Sequence, residues 1–183
     1  MHGICRVIGV GMTWMMGFAE ECYAAAPEDL HARVPEFSND VIIRRLDAEV
    51  DELCSFVHKK ANKQWLWLAV DARTRDAIAF HVGDRSKESA RALWDALPPV
   101  YQENATFFTD AYASYEGVIP EDRHRVVTKA SRLTNHVERL NGTIRQRVSR
   151  LVRSALSFSK KLENHIGAIR YFLGQYNLEL ARA

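Results

Sequence analysis

Three apolar runs, Val50 to Val57, Gln64 to Val70 and Ala77 to Val82, follow one another closely, and the last two are separated by the polar stretch Asp71-Ala72-Arg73-Thr74-Arg75-Asp76. Runs of this length, rich in β-branched and aromatic residues and bounded by turn formers, read as strands. Strands joined by so short a connection pair antiparallel, so a three-strand meander is expected. Asp71 closes an apolar strand where the chain must turn, and is read as a hairpin-turn aspartate. Beyond the meander, Ala90, Leu93, Trp94 and Leu97 recur at helical spacing within Ser86 to Leu97, with Pro98-Pro99 as the stop. Thr106 to Asp110 supplies a fourth strand and Arg125 to Thr128 a short fifth. The order predicts an α/β domain built on a mixed sheet with helices on its faces.

Two long helical patterns complete the chain. From Leu133 to Arg153, the residues Leu133, Val137, Leu140, Ile144, Val148 and Leu151 form one apolar stripe, and Asn135, Glu138, Asn141 and Arg145 recur on an adjacent one. From Ser159 to Leu180, Leu162, Ile166, Ile169, Phe172 and Leu173 mark a packing helix. Near the amino terminus, Gly3 to Val10 and Thr13 to Tyr23 read as two short helices joined at Gly9-Val10-Gly11, of helix-turn-helix size, with Thr13 as N-cap. The Pro- and Ser-containing stretch that follows reads as a linker. The expected division is a helix-turn-helix-like segment over 1–26, a linker over 27–46 and an α/β domain over 47–183.

The net charge of +2 conceals a polarity along the chain. Between Arg123 and Arg153 there are nine Lys and Arg residues and a single acid, Glu138, whereas the first 54 residues hold ten acids and four arginines. A lone acid in a basic helix suits either an intrahelical ion pair or a site. Asp110 stands at the end of the apolar run Ala105-Thr106-Phe107-Phe108, and Asp51 lies inside the first strand. Three acids on separate elements can meet, and oxygen ligands of this kind suit hard divalent cations, a pair of which can clamp the attacking and leaving oxygens of a phosphodiester. Strand alternation is expected to turn Glu49 and Glu52 to the face opposite Asp51.

Cys5, Cys22 and Cys54 are scattered, without zinc spacing or a disulfide framework. The segment from Arg6 to Ala26 imitates a secretory signal, but Gly9, Gly11 and Gly17 dilute its apolar zone and Glu20-Glu21 oppose it. No apolar run reaches the ~20 residues of a membrane span. Free cytosolic thiols, and no integral membrane protein, are expected.

Glu49-Val50-Asp51-Glu52-Leu53, Trp65-Leu66-Trp67, Phe108-Thr109-Asp110 with Tyr115-Glu116, Val137-Glu138-Arg139-Leu140-Asn141 and Leu156-Ser157-Phe158-Ser159-Lys160 resemble, in order, the transposases of the insertion-sequence-one family. The resemblance spans about residues 47 to 175. It implies an RNase H-like core with an Asp-Asp-Glu triad at Asp51, Asp110 and Glu138, holding two magnesium or manganese ions and carrying out DNA end cleavage and strand transfer. Element ends and target DNA are the implied partners, with Arg139, Asn141, Arg145, Arg147, Arg150, Arg153 and Lys160 along the DNA and a homo-oligomer bringing the ends together. Family members often carry a zinc module ahead of the helix-turn-helix, so an amino-terminally truncated or second-frame product is expected. Cys54 stands where the family has Trp, Ala111-Tyr112 where it has Gly-Trp, Arg153-Ser154-Ala155 interrupts an Arg-Lys-Ser/Thr run, and the Asp110 to Glu138 interval is slightly long. Two other readings stay open at this point: a non-catalytic DNA-binding remnant or repressor, and a nuclease of the same fold that does not join strands.

Overall fold

A computed structural model of the chain describes residues 2–35, 46–128, 131, 133–148, 151 and 160–183. The helices are α1 (His2–Ile8), α2 (Met12–Ala24), α3 (Lys87–Asp95), α4 (Pro99–Asn104), α5 (Asn135–Arg147) and α6 (Leu162–Arg182). The strands are β1 (Leu46–Phe56), β2 (Lys63–Asp71), β3 (Ala77–Gly83), β4 (Ala105–Thr109) and β5 (His124–Val126). They form one sheet in the order β3-β2-β1-β4-β5. The first three are antiparallel, while β4 joins β1, and β5 joins β4, in parallel. This is the RNase H-like arrangement: a meander extended on one side by parallel strands, with helices covering both faces.

The two faces of the sheet have separate cores. Ala48, Val50, Trp67 and Ala69 pack with Leu93, Leu97, Tyr101, Phe107 and Tyr115 on the side of α3 and α4. Leu53, Leu66, Leu68 and Val70 pack with Val137, Leu140, Ile144, Ile169 and Leu173 on the side of α5 and α6. Apolar residues on both faces explain why β2 reads as a continuous run instead of an alternating one. Trp67 is fully buried and its indole Nε1 donates to the Asp84 carbonyl at 2.8 Å, so the largest core side chain leaves no polar group unsatisfied.

The β2–β3 turn is built as its aspartate predicts. Asp71 Oδ1 accepts from the backbone of Arg73 at 2.8 Å and of Thr74 at 2.6 Å, and Oδ2 from the Tyr101 hydroxyl at 2.6 Å. Pro98-Pro99 ends one helix and also starts the next. Pro99 opens α4 at a position where a missing N–H costs nothing. The basic helix is shorter than its periodicity suggests: α5 ends at Arg147 and Val148 is extended. Val148 and Leu151 still reach the same core. Thr13 lies inside α2 and caps nothing; Gly11 precedes the helix without a side-chain cap.

Helix α2 lies against α6. At Gly167 an added Cβ would come within 2.7 Å of the Tyr23 Cβ and 3.0 Å of its carbonyl oxygen, so only glycine admits this crossing. Asn164 donates to Glu20 across the same contact at 2.7 Å. Several outward-facing side chains of α1 and α2 are apolar, with Trp14 stacked on Phe18 and Val7 largely exposed. Of the stretch expected to be a linker, residues 27–35 are described, and they are strapped to the domain. Arg33 grips Asp76 at 2.7 and 2.9 Å, and Leu30 is buried.

Asn177 on α6 sews these pieces together. Fully buried, it accepts from Ala77 N at 2.9 Å and donates to the carbonyls of Ala77 at 2.9 Å and Leu30 at 2.8 Å. Exchange for alanine strands three backbone groups, each carrying a desolvation cost. Asn177→Ala is therefore expected to lose about 2–4 kcal/mol in urea unfolding; a loss below about 0.5 kcal/mol would mean water replaces the amide. Among the described residues no helix is long and apolar enough to cross a membrane.

Candidate active site

Strand β1 is longer than its parallel partner. Its pairing with β4 runs only from Leu46 to Glu49, opposite Ala105 to Phe108, whereas its pairing with β2 continues to Phe56. From Val50 onward one edge of β1 therefore lacks a strand, which leaves a notch at the carboxyl ends of two parallel strands. Ligand sites in open α/β sheets favour such places. Asp51 lies on β1 at this notch, and β4 ends at Thr109 so that Asp110 leaves the sheet beside it. Glu138 lies in the first turn of α5, which crosses the same side.

A cavity of about 340 Å³ fills the notch and is lined by Asp51, Asp110 and Glu138 together with Glu52, Thr134, Asn141 and Arg145. Thr134, Glu138, Asn141 and Arg145 fall on one side of α5, as residues three and four apart must. The stripe expected from Asn135 begins instead at Thr134; Asn135 is exposed. Asn141 donates to Asp51 Oδ2 at 2.9 Å, while its own Oδ1 is buried with no hydrogen-bond partner among the described residues. The Thr134 hydroxyl reaches Glu138 Oε1 at 3.4 Å.

Burial raises the Asp51 carboxyl above the ordinary carboxylate range. The Glu52 backbone and the Asn141 amide oppose that rise, and the charges of Asp110 and Glu138 add to it. A carboxylate pressed from two sides by like charge is short of a cation. Among the described residues no three His, Cys, Asp or Glu side chains close on a point as a ready-made metal cage. Magnesium does not require one, since it retains waters and is commonly held by one or two carboxylates plus substrate phosphates. The oxygen-only donor set of the cavity fits such an ion.

Glu49 corrects the expectation from strand alternation. Two residues from Asp51, it shares that residue's face and points at α5. Its carboxylate, only 2% exposed, accepts from the backbone N–H of His136 at 2.7 Å and of Val137 at 2.9 Å, and meets His136 Nδ1 at 2.6 Å. The helix is thus capped by a strand residue 87 positions away, whose charge complements the positive end of the helix. Glu52 does take the opposite face, with Trp67 and Tyr115, yet it still lines the cavity because the notch opens both faces. The spacing of Glu49 and Asp51 was the available signal for a shared face. Nothing local signalled the helix it caps.

The basic residues expected along DNA are dispersed. Arg145 lies in the cavity wall, and Asn141 beneath it is buried against Asp51. Arg139 and Arg147 are exposed toward the α6 flank, where both act on Tyr176 and Arg147 pairs with Glu179 at 3.3 Å. Lys160 is exposed just ahead of α6. Arg150 and Arg153 lie outside the described residues.

A family model described as IS1 transposase matches residues 43–178. The chain belongs to the IS1 transposase family. It is 34% identical over 131 residues to the insertion element iso-IS1n protein InsB of Shigella dysenteriae, covering 72% of this chain and 96% of that protein. It is 33% identical over 147 residues to the insertion element IS1 2 protein InsB of Escherichia coli K12, covering 80% and 83%. Among solved structures, the magnesium complex of the HTLV-2 integrase catalytic core domain superposes with a TM-score of 0.46 at 14% identity, over 69% of this transposase-family chain and 84% of that one.

Proposed function

We propose that this IS1-family chain catalyses divalent-metal-dependent cleavage at DNA element ends and strand transfer into target DNA, with Asp51, Asp110 and Glu138 as the metal-binding and catalytic residues. The observation that supports this reading is the convergence of these three carboxylates, from two strands and a helix, on one notch where burial raises the Asp51 carboxyl and the charges of Asp110 and Glu138 add to the rise. Magnesium or manganese ions held there, two in number, would make a nucleophile of water or of a 3′-hydroxyl and neutralise the leaving oxygen.

The protein's own contribution is placement. Asn141 fixes one oxygen of Asp51, leaving the other for a ligand. Glu49 seats α5 so that Glu138 faces β1. Arg145, on the cavity wall, is suited to a phosphate oxygen entering the notch, since guanidinium binds phosphate in a planar, directional way. Lys160, Arg139 and Arg147 would extend the contact along the DNA backbone as salt-sensitive phosphate partners, and α1–α2 would add a further segment at the element end. Joining two ends calls for at least two copies of the chain acting together.

Gel assays on a labelled element end test the reading. Asp110→Asn and Glu138→Gln are each expected to leave no detectable nicked or joined product while keeping the circular-dichroism spectrum of the unaltered chain. Normal products from either variant exclude that residue from the triad. Nicks without joints in the unaltered chain indicate a nuclease, and failure to bind Mn²⁺ in calorimetry indicates a DNA-binding remnant.

A further inference from the structure

Asp110 stands on the loop after β4, exposed and beyond any strand partner. Repelled by Asp51 and Glu52, a carboxylate so placed gains by turning into water. Within the loop, its Oδ1 accepts from the backbone N–H of Tyr112 at 3.1 Å. Where Asp110 points therefore depends on where Tyr112 is held.

Tyr112 is held by Arg85. Its ring lies under the guanidinium, 3.9 Å from ring centre to Cζ, and its hydroxyl donates to the Arg85 carbonyl at 2.7 Å. Arg85 is fixed from two further sides, by the Trp65 ring at 4.5 Å and by Glu52 Oε2 at 3.1 Å. The Glu52 side chain is 2% exposed and is held between Arg85 and the buried Tyr115 hydroxyl. Arg85 is itself 39% exposed, so its pairing with Glu52 adds little to stability and chiefly sets where the guanidinium lies.

We propose that Glu52, Arg85 and Tyr112 form a positioning relay in which the buried carboxylate orients the guanidinium, the guanidinium holds the tyrosine ring, and the tyrosine backbone aims Asp110 into the cavity. None of the three touches the reacting atoms. The inference rests on Asp110 being a cation ligand, and it adds that the ligand's direction is set by Arg85, just past the end of β3 and three strands from β4 in the sheet.

Calorimetric Mn²⁺ titration of the full chain tests the relay. Loss of a residue that orients a metal ligand commonly weakens affinity 10- to 100-fold, so Arg85→Ala and Tyr112→Ala are each expected to weaken Mn²⁺ binding by about tenfold. Because they act in series, the double variant is expected to bind no more weakly than either single one. In an Asp110→Asn background neither change is expected to alter the residual affinity. Arg85→Lys, which can still pair with Glu52 but lacks a flat cation to lie between the two rings, is expected to fold and still bind weakly. The relay is overturned if Arg85→Ala and Arg85→Lys both bind Mn²⁺ normally, or if the two alanine effects on affinity multiply. If Asp110→Asn alone leaves Mn²⁺ binding unchanged, the ligand role falls and the relay with it, a result distinct from an inert Arg85.

Discussion

Asp51→Asn is expected to cut element-end cleavage by at least about 10³-fold, the scale of the several kcal/mol that metal coordination contributes to such a transition state, and also to stabilise the protein. The two effects share a cause. In the folded chain burial raises the Asp51 carboxyl above its ordinary range, so ionising it opposes folding. Below the ordinary carboxylate range Asp51 is protonated in both folded and unfolded chains and the penalty is absent. As pH rises from that range through the raised folded value, the unfolded chain releases the proton first and stability falls. Above the window the full penalty remains. Asparagine can keep the Asn141 contact through its own carbonyl while carrying no charge. At neutral pH, without divalent cations, the variant is expected to melt about 2–4 °C higher, the shift roughly 1 kcal/mol gives in a chain of this size. The difference should shrink below the window, and Mn²⁺ should raise the melting temperature of the unaltered chain only. Thermal melts across pH with and without Mn²⁺ measure this. A variant that still cleaves, or that melts lower at neutral pH, contradicts the account.

Glu49→Ala is expected to be the most damaging change near the site for stability. It removes the acceptor for two backbone N–H groups at the start of α5 and for the His136 ring, and it empties space beneath the helix. Stranded donors and a lost cap together amount to about 2–4 kcal/mol, or a fall of roughly 5–15 °C in melting temperature. Cleavage should drop as well, because α5 carries Glu138 and Asn141. Hydrogen exchange would locate the defect: faster exchange confined to the first turn of α5 is expected, and uniform protection across the helix would show that another group caps it.

The strands and their neighbouring helices could be recognised from local pattern. Apolar runs, the Asp71 turn and the Pro98-Pro99 break each act within a few residues, and the structure keeps them with small changes in boundary. The errors have physical causes. The apolar stripe of α5 continues to Val148 and Leu151 although the helix ends at Arg147, because a side chain can reach the core without helical backbone. Pro99 marks both a stop and a start, which a breaker rule alone cannot distinguish. Thr13 looks like a cap only until Gly11 is seen to begin the turn before it.

Residue order alone settled the meander, the helices behind it and the presence of acids at the end of β4, within β1 and early in α5, because these depend on periodicity and backbone preference over short distances. Tertiary structure decided that β4 stops pairing with β1 at Glu49, opening the notch, and that Glu49 reaches across 87 positions to seat α5. It likewise brought Glu52, Arg85 and Tyr112 behind Asp110. Register and long-range capping are set by the packing of whole elements against one another, and no stretch of sequence contains both partners of such a contact.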